Sequence, residues 1–146
     1  MELYTLQEAD KLWNQLLDYA SCCPWRAGTS LVRKMNFNIF TDWERIVVAV
    51  EDNHIIGFCT ITKTDSASDE THMPYIGYIY VDEHHRGKRI SSQMINFASD
   101  YLKNIGFNKV HIISDHINLY EKFGFKVVDT ITSKNGNVEK IYQKNI

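Results

Sequence analysis

"YIGYIYVDEHHRGKRISSQMI", Tyr75 to Ile95, is the stretch on which the reading of this chain turns. A run of strand-forming apolar and aromatic residues stops at an acid pair. Two histidines, three basic residues and one glycine follow, and then serines open a helical pattern. A helix N-terminus carries unpaired backbone N–H groups and about half a positive charge, so anions settle there. Gly87 lets the backbone come close to such an anion. Arg86, Lys88 and Arg89 add charge-assisted contacts, and the hydroxyls of Ser91 and Ser92 cap the helix or reach the anion. The segment reads as a diphosphate cradle between a strand and a helix; taken alone, it reads more readily as a solvated basic turn before a capped helix. The GxGxxG and GxxxxGK[ST] spacings are absent, so dinucleotide and nucleoside-triphosphate sites of those kinds fit poorly.

Composition bounds what surrounds the cradle. With 146 residues, 44% of them hydrophobic, the chain is expected to form one domain over residues 1–146 with a real core, not a disordered segment. The net charge of -2 gives no global basic field, so neither nucleic acid nor a membrane surface is expected as a partner. The N-terminus is acidic where a signal peptide is basic, and no apolar run reaches the roughly 18 residues of a membrane span, so a cytoplasmic protein is expected. Cys22, Cys23 and Cys59 make an odd set without CxxC spacing, which suggests neither a disulfide framework nor a zinc site. His84 and His85 are adjacent, not four apart, and lack a clear third ligand, so no metal is expected.

The remaining pattern alternates helices with strands. Thr5 and Glu8 form a capping-box pattern ahead of a helix over about Leu6 to Tyr19, and a second helix is expected over about Thr29 to Phe40. "RIVVAVEDNHIIGFCTIT" is a hairpin turning at Asp52-Asn53, followed by a polar loop, Thr64 to Met73. Tyr75 to Val81 is a strand, and helical spacing then runs from Ile90 until Gly106 stops it. "KVHIIS" is a short strand, "INLYEKF" a short helix, "FKVVDTIT" a strand, and "SKNGN" a turn into the last strand, "VEKIYQK". The fold class is mixed α/β.

Two motifs carry a resemblance. "HHRGKR", His84 to Arg89, falls on a Q/R-x-x-G-x-G/A loop, with His84 in place of Gln or Arg and Arg89 in place of the last small residue. "LYEKFGF", Leu119 to Phe125, matches a C-terminal "LYEKxGF". In this order, within this pattern of elements, the chain resembles the GNAT superfamily of acetyl-CoA-dependent N-acetyltransferases over most of its length.

The resemblance implies a mixed, mostly antiparallel V-shaped sheet, splayed between strands four and five and flanked by helices. Acetyl-CoA would lie in the splay, its pantetheine alongside Ile79, Tyr80 and Val81. Its diphosphate would rest on Arg86, Gly87, Lys88, Arg89, Ile90, Ser91 and Ser92, and Asn118 would complete the cofactor contacts. Attack of an amine on a thioester builds an oxyanion, for which the Ile79 N–H is the candidate donor, and expels a thiolate that profits from a proton donor. Tyr120, in the second motif, is the candidate acid, since a phenol with an ordinary pKa near 10 stays protonated at neutral pH. Without the motif, Tyr120 reads as a half-buried packing residue. Candidates for the base are His72, Glu70 and His116.

In such a family the first two helices and the turn before the last strand form the acceptor cleft, here around Trp25, Arg26, Phe37, Phe40 and Trp43 with "SKNGN". Those aromatics serve equally well as core. Asp65, Asp69 and Glu70 form an acidic loop that suits a polycationic acceptor or is simply solvated. The expected activity is acetyl transfer from acetyl-CoA to a primary amine of a small molecule or peptide. The alternative is a non-catalytic acyl-CoA-binding or interaction module with the same fold. A homodimer paired along the edge left by the C-terminal hairpin is the expected assembly.

Overall fold

The computed structural model describes residues 1–37, 40, 42–64, 72–132 and 136–146. Seven strands form one sheet in the order β1-β2-β3-β4-β5-β7-β6. They are β1 (Glu2–Leu6), β2 (Arg45–Glu51), β3 (His54–Thr62), β4 (Tyr75–Val81), β5 (Lys109–Ser114), β6 (Lys126–Thr132) and β7 (Val138–Asn145). Three helices accompany them: α1 (Leu12–Ser21), α2 (Arg26–Asn36) and α3 (Ile90–Asn104). Among the described residues no helix is long and apolar enough to cross a membrane.

Strand alternation builds a core on each face. In β2, Val47 and Ala49 face one buried cluster and Ile46 and Val48 the other, all with no exposure. The first cluster holds the apolar stripe of α3, including Ile90, Met94, Ala98 and Leu102. The second holds Trp13, Leu16 and Ala20 of α1 with Leu31 and Met35 of α2. Each full-sized aliphatic side chain buried this way contributes about 1.5–3 kcal/mol.

Local signals in the sequence fail at the N-terminus. Thr5 opens no helix: it lies in β1, paired antiparallel with Val47, and α1 begins only at Leu12. The edge of β2 offers a ladder to residues 2–6, and that pairing, with Leu6 entering the core, outweighs a capping box. The second helix lies earlier than expected, Arg26–Asn36, and "INLYEKF" yields only a 3-10 turn, Tyr120–Phe123. The Asp52-Asn53 hairpin is as expected, with both residues at positive φ, 51° and 64°. The acidic loop with Asp65, Asp69 and Glu70, and Ser133, Lys134 and Asn135 of "SKNGN", lie outside the described residues.

The sheet is antiparallel except where β4 meets β5, and that parallel contact is a single registered pair, Tyr75 with His111. Beyond it the two strands part, which opens a V at their C-terminal ends. A bulge in β4 accompanies the opening. Phe58 pairs with Tyr80 and Thr60 with Gly77, so β4 spends three steps where β3 spends two. Tyr78 takes the left-handed conformation, φ 48°, within the extra step. An extra residue reverses which side chains face which side. Ile76 faces the α3 cluster before the bulge, Ile79 and Val81 face it afterwards, and Tyr80 joins the α1–α2 cluster.

Candidate active site

Two cavities lie in the V. The first, about 200 Å³, runs from the start of α3 into the splay and is lined by Trp25, Val81, Arg86 and Ser91, with Leu119 and Phe123. The second, about 180 Å³, lies deeper between β4 and β5, lined by Gly77, Tyr78, Ser114, Asp115 and Glu139 among others. Ile79, His116 and Tyr120 line both. A channel from the loop before α3 therefore meets an acidic pocket at one backbone segment, one histidine and one phenol.

The outer end is a helix N-terminus with open amides. Arg89, the residue before α3, sits in the left-handed conformation, φ 61° and ψ 25°, and among the described residues no side chain caps the helix. Gly87 has φ 82°, and a Cβ built on it meets nothing within 4 Å, so the loop presents bare backbone towards open space. Arg86 to Arg89 are exposed, Ile90 is buried against the sheet, and Ser91 and Ser92 are half-buried in the first turn. A diphosphate needs this combination of free N–H groups, positive charge and room. His85 turns away: its Nε2 lies 3.3 Å from Glu51 and its Nδ1 3.8 Å from Asp82, which ties the loop to the β2–β3 turn.

Arg86 does more than add charge. Its Nε donates to the carbonyl of Val81 at 3.1 Å, and its guanidinium lies over Trp25 at 4.9 Å and Tyr80 at 5.9 Å from the ring centres. Trp25 is held there by the start of α2 and by an edge contact with Tyr80, 5.0 Å between centroids. The α1–α2 turn beneath is tight, for a Cβ on Gly28 would stand 2.4 Å from both the Ala20 carbonyl oxygen and the Cys23 Cβ.

At the inner end Tyr120 is buried, 7% exposed, with its ring 5.6 Å from that of Tyr142 and 6.3 Å from those of Phe123 and Phe125. The Tyr142 hydroxyl donates to the His116 carbonyl at 2.8 Å, and the His116 N–H donates to Ser114 Oγ at 3.0 Å, which fixes the short link from β5 to the Tyr120 turn. Glu139 is half-buried, and burial, then the negative charge of Asp115, pushes its carboxyl above the ordinary range. Asn118, at φ 62°, is exposed on the link and lines neither cavity.

The other sequence candidates are elsewhere. Glu70 lies outside the described residues. His72 lies before the closed end of the V, its Nε2 3.1 Å from Asp129 and its ring 5.3 Å from that of His111. Four strand steps, on the order of 13 Å, already separate Tyr75 from Ile79. Trp13 and Phe40 pack edge to face and Trp43 packs on Phe107, so these aromatics are core. Glu139 escaped sequence reasoning because it reaches the cleft only through the pairing of β7 with β5, and nothing local in "VEKIYQK" marks it. A larger groove of about 690 Å³, between α1 and the loop after β4, shares no lining residue with the two cavities.

A sequence model of the Acetyltransferase (GNAT) family matches residues 9–125. The fold is similar to that of the aminoglycoside 6'-N-acetyltransferase from Enterococcus faecium, with a TM-score of 0.75 and 13% identity over 99% of this chain and 97% of that one. It is also similar to an aminoglycoside 6'-N-acetyltransferase solved in complex with coenzyme A, with a TM-score of 0.72 and 15% identity over the same shares. The ribosomal-protein-alanine N-acetyltransferase from Brucella melitensis aligns over 100% of both chains with a TM-score of 0.71 and 15% identity. With the family match spanning residues 9–125 and the splayed sheet agreeing end to end, the chain belongs to the GNAT acetyltransferase family and is an acyltransferase.

Proposed function

We propose that the protein transfers an acetyl group from acetyl-CoA to a primary amine of a small molecule or peptide by direct attack. The observation that carries this reading is the junction of the two cavities at Ile79, His116 and Tyr120. One cavity leads from the open amides of α3 and suits an elongated donor with a diphosphate. The other suits a compact, cationic acceptor. Relatives of this fold that act on an aminoglycoside and on a ribosomal protein's alanine lend support to an amine nitrogen as nucleophile.

In this reading, backbone N–H groups and basic side chains from Arg86 to Ser92 hold the diphosphate, and the pantetheine arm runs along Ile79 to Val81. The bulge takes Tyr78 and Ile79 out of register with β3. The Ile79 N–H serves as donor to the thioester oxygen as charge builds on it, where a preorganised amide counts most. Tyr120, at the junction, donates a proton to the departing sulfur, a contribution of about 10²- to 10⁴-fold. Of the described sequence candidates for a base, His116 lines the cleft and His72 does not.

The test is a panel of amines (spermidine, kanamycin and an alanyl peptide) incubated with acetyl-CoA and protein, with release of free thiol as the readout. Thiol release that depends on both protein and amine supports the proposal. Tight acetyl-CoA binding with no amine-dependent release overturns it in favour of a binding module.

A further inference from the structure

We propose that Glu139 is the proton acceptor for the attacking amine, which it recognises as an ammonium ion; the inference rests on the acetyl-transfer reading above. In β7, Lys140 pairs with Ser114, the last residue of β5, so Glu139 stands one step further on, beside Asp115, where β5 has ended. Alternation along β7 sends Tyr142 into the α3 core, whereas Gln143 meets His111 on the opposite face. Glu139 shares the parity of Gln143, on the face opposite the α3 core that holds Tyr120, and meets Ile79 and Tyr120 through the splay, where all three line one cavity.

Its surroundings suit the task. Among the described residues, no hydrogen bond or ion pair occupies its carboxylate, in contrast to His72, which is engaged by Asp129. The titratable groups sharing its pocket are Asp115 and His116 from the end of β5, Tyr78 from β4 and Tyr120. On β6 its partner is Ile131, which carries no charge. Burial and Asp115 both raise its proton affinity, which brings a carboxylate closer to what a base at neutral pH requires. The same negative pair favours an acceptor that arrives charged.

The step balances. Glu139 takes one proton from the ammonium, and the freed lone pair forms the C–N bond to the acetyl carbon. The C–S bond breaks as the Tyr120 hydroxyl gives its proton to sulfur, and the nitrogen returns a proton to the Tyr120 oxygen. One proton remains on Glu139 and passes to water, leaving amide and free CoA.

The experiment compares wild type, Glu139→Gln, Glu139→Asp and His116→Gln with whichever of spermidine, kanamycin or the alanyl peptide the wild type acetylates fastest. For Glu139→Gln, kcat/KM is expected to fall about 10²-fold at neutral pH and to recover as pH rises, because free amine then replaces the lost base. Glu139→Asp is expected to retain part of the rate. The stabilisation by acetyl-CoA is expected to be unchanged in Glu139→Gln and Glu139→Asp. An acidic limb that persists in Glu139→Gln, or that disappears in His116→Gln instead, overturns the assignment and leaves acetyl transfer standing. A wild type that binds acetyl-CoA and acetylates none of the three amines overturns both readings together.

Discussion

The Arg86 guanidinium lies 4.9 Å from the centre of the Trp25 ring while its Nε donates to the Val81 carbonyl at 3.1 Å. One side chain thus covers the last carbonyl of β4 and ties it to the start of α2. In the proposed binding mode the pantetheine arm pairs with the end of β4 and needs that edge, so Arg86 is expected to release it. Saturating acetyl-CoA is expected to change tryptophan emission, and the change is expected to vanish in Trp25→Phe, in which Trp13 and Trp43 remain. Constant emission at a concentration that stabilises the protein would show that the Arg86–Trp25 contact survives binding.

Gly87 has φ 82° and open space where a side chain would go. Valine there costs about 1–2 kcal/mol in backbone strain and fills the room in front of the α3 amides. Acetyl-CoA is expected to raise the Tm of the wild type in a concentration-dependent way and to leave that of Gly87→Val nearly unmoved. Equal shifts in the two proteins would place the diphosphate elsewhere.

Tyr120→Phe keeps the ring that packs on Tyr142, Phe123 and Phe125 and removes the hydroxyl. Turnover is expected to drop by about 10² or more with little change in acetyl-CoA affinity, and the rate is expected to lose its alkaline limb. Near-wild-type turnover with chemistry limiting would transfer the donor role to water or to His116.

Arg86, Gly87 and Tyr120 could be singled out from the sequence because each belongs to a contiguous motif: strand, basic loop and helix from Tyr75 to Ile95, or "LYEKFGF". The elements from Arg45 to Thr62 and from Tyr75 to Asn104 were legible for a related reason, since alternation, an Asp-Asn turn and a glycine stop are local signals. β1 was not, because residues 2–6 become a strand through the edge of β2, 40 to 48 positions away. Glu139 was hidden in the same manner. His72 is a reasonable base by residue type, but the distance along β4 separates it from the cleft that Ile79, His116 and Tyr120 line.

His111 allows a stability measurement. It is 3% exposed, with Nδ1 3.1 Å from the Pro74 carbonyl and Nε2 3.0 Å from Gln143 Oε1. Burial lowers its pKa, more than those two bonds raise it, and His72 and Lys109 lower it further. The unfolded chain, with a histidine pKa of about 6.5, therefore takes up the proton first on acidification. Stability from this site is complete above about pH 6.5 and is lost as pH falls below that value towards the depressed folded one. Urea midpoints at pH 7.5 and 5.5 are expected to differ more for wild type than for His111→Gln, and parallel midpoints would remove His111 as the cause.

Gly28→Ala probes the support under Trp25. Its added methyl group would meet the Ala20 carbonyl oxygen and the Cys23 Cβ at 2.4 Å, so α2 must shift away from α1 at a cost of about 1–3 kcal/mol. Both the urea midpoint and the acetyl-CoA-induced Tm shift are expected to fall. A loss of midpoint alone would mean that Trp25 does not depend on how closely the two helices approach.

The extra residue in β4 makes the site a matter of counting. Between Gly77 and Tyr80 the strand carries one more residue than its neighbour β3 requires, and every side chain beyond takes its facing from that surplus. Removing one residue there would change the composition hardly at all. It would nevertheless exchange the directions of the residues before the cradle, so that a side chain now lining the channel would point under α1 and one now under α1 would enter the channel. Length, in this short span, is as strictly constrained as the identity of any acid or base, and point substitutions can go where insertions and deletions cannot.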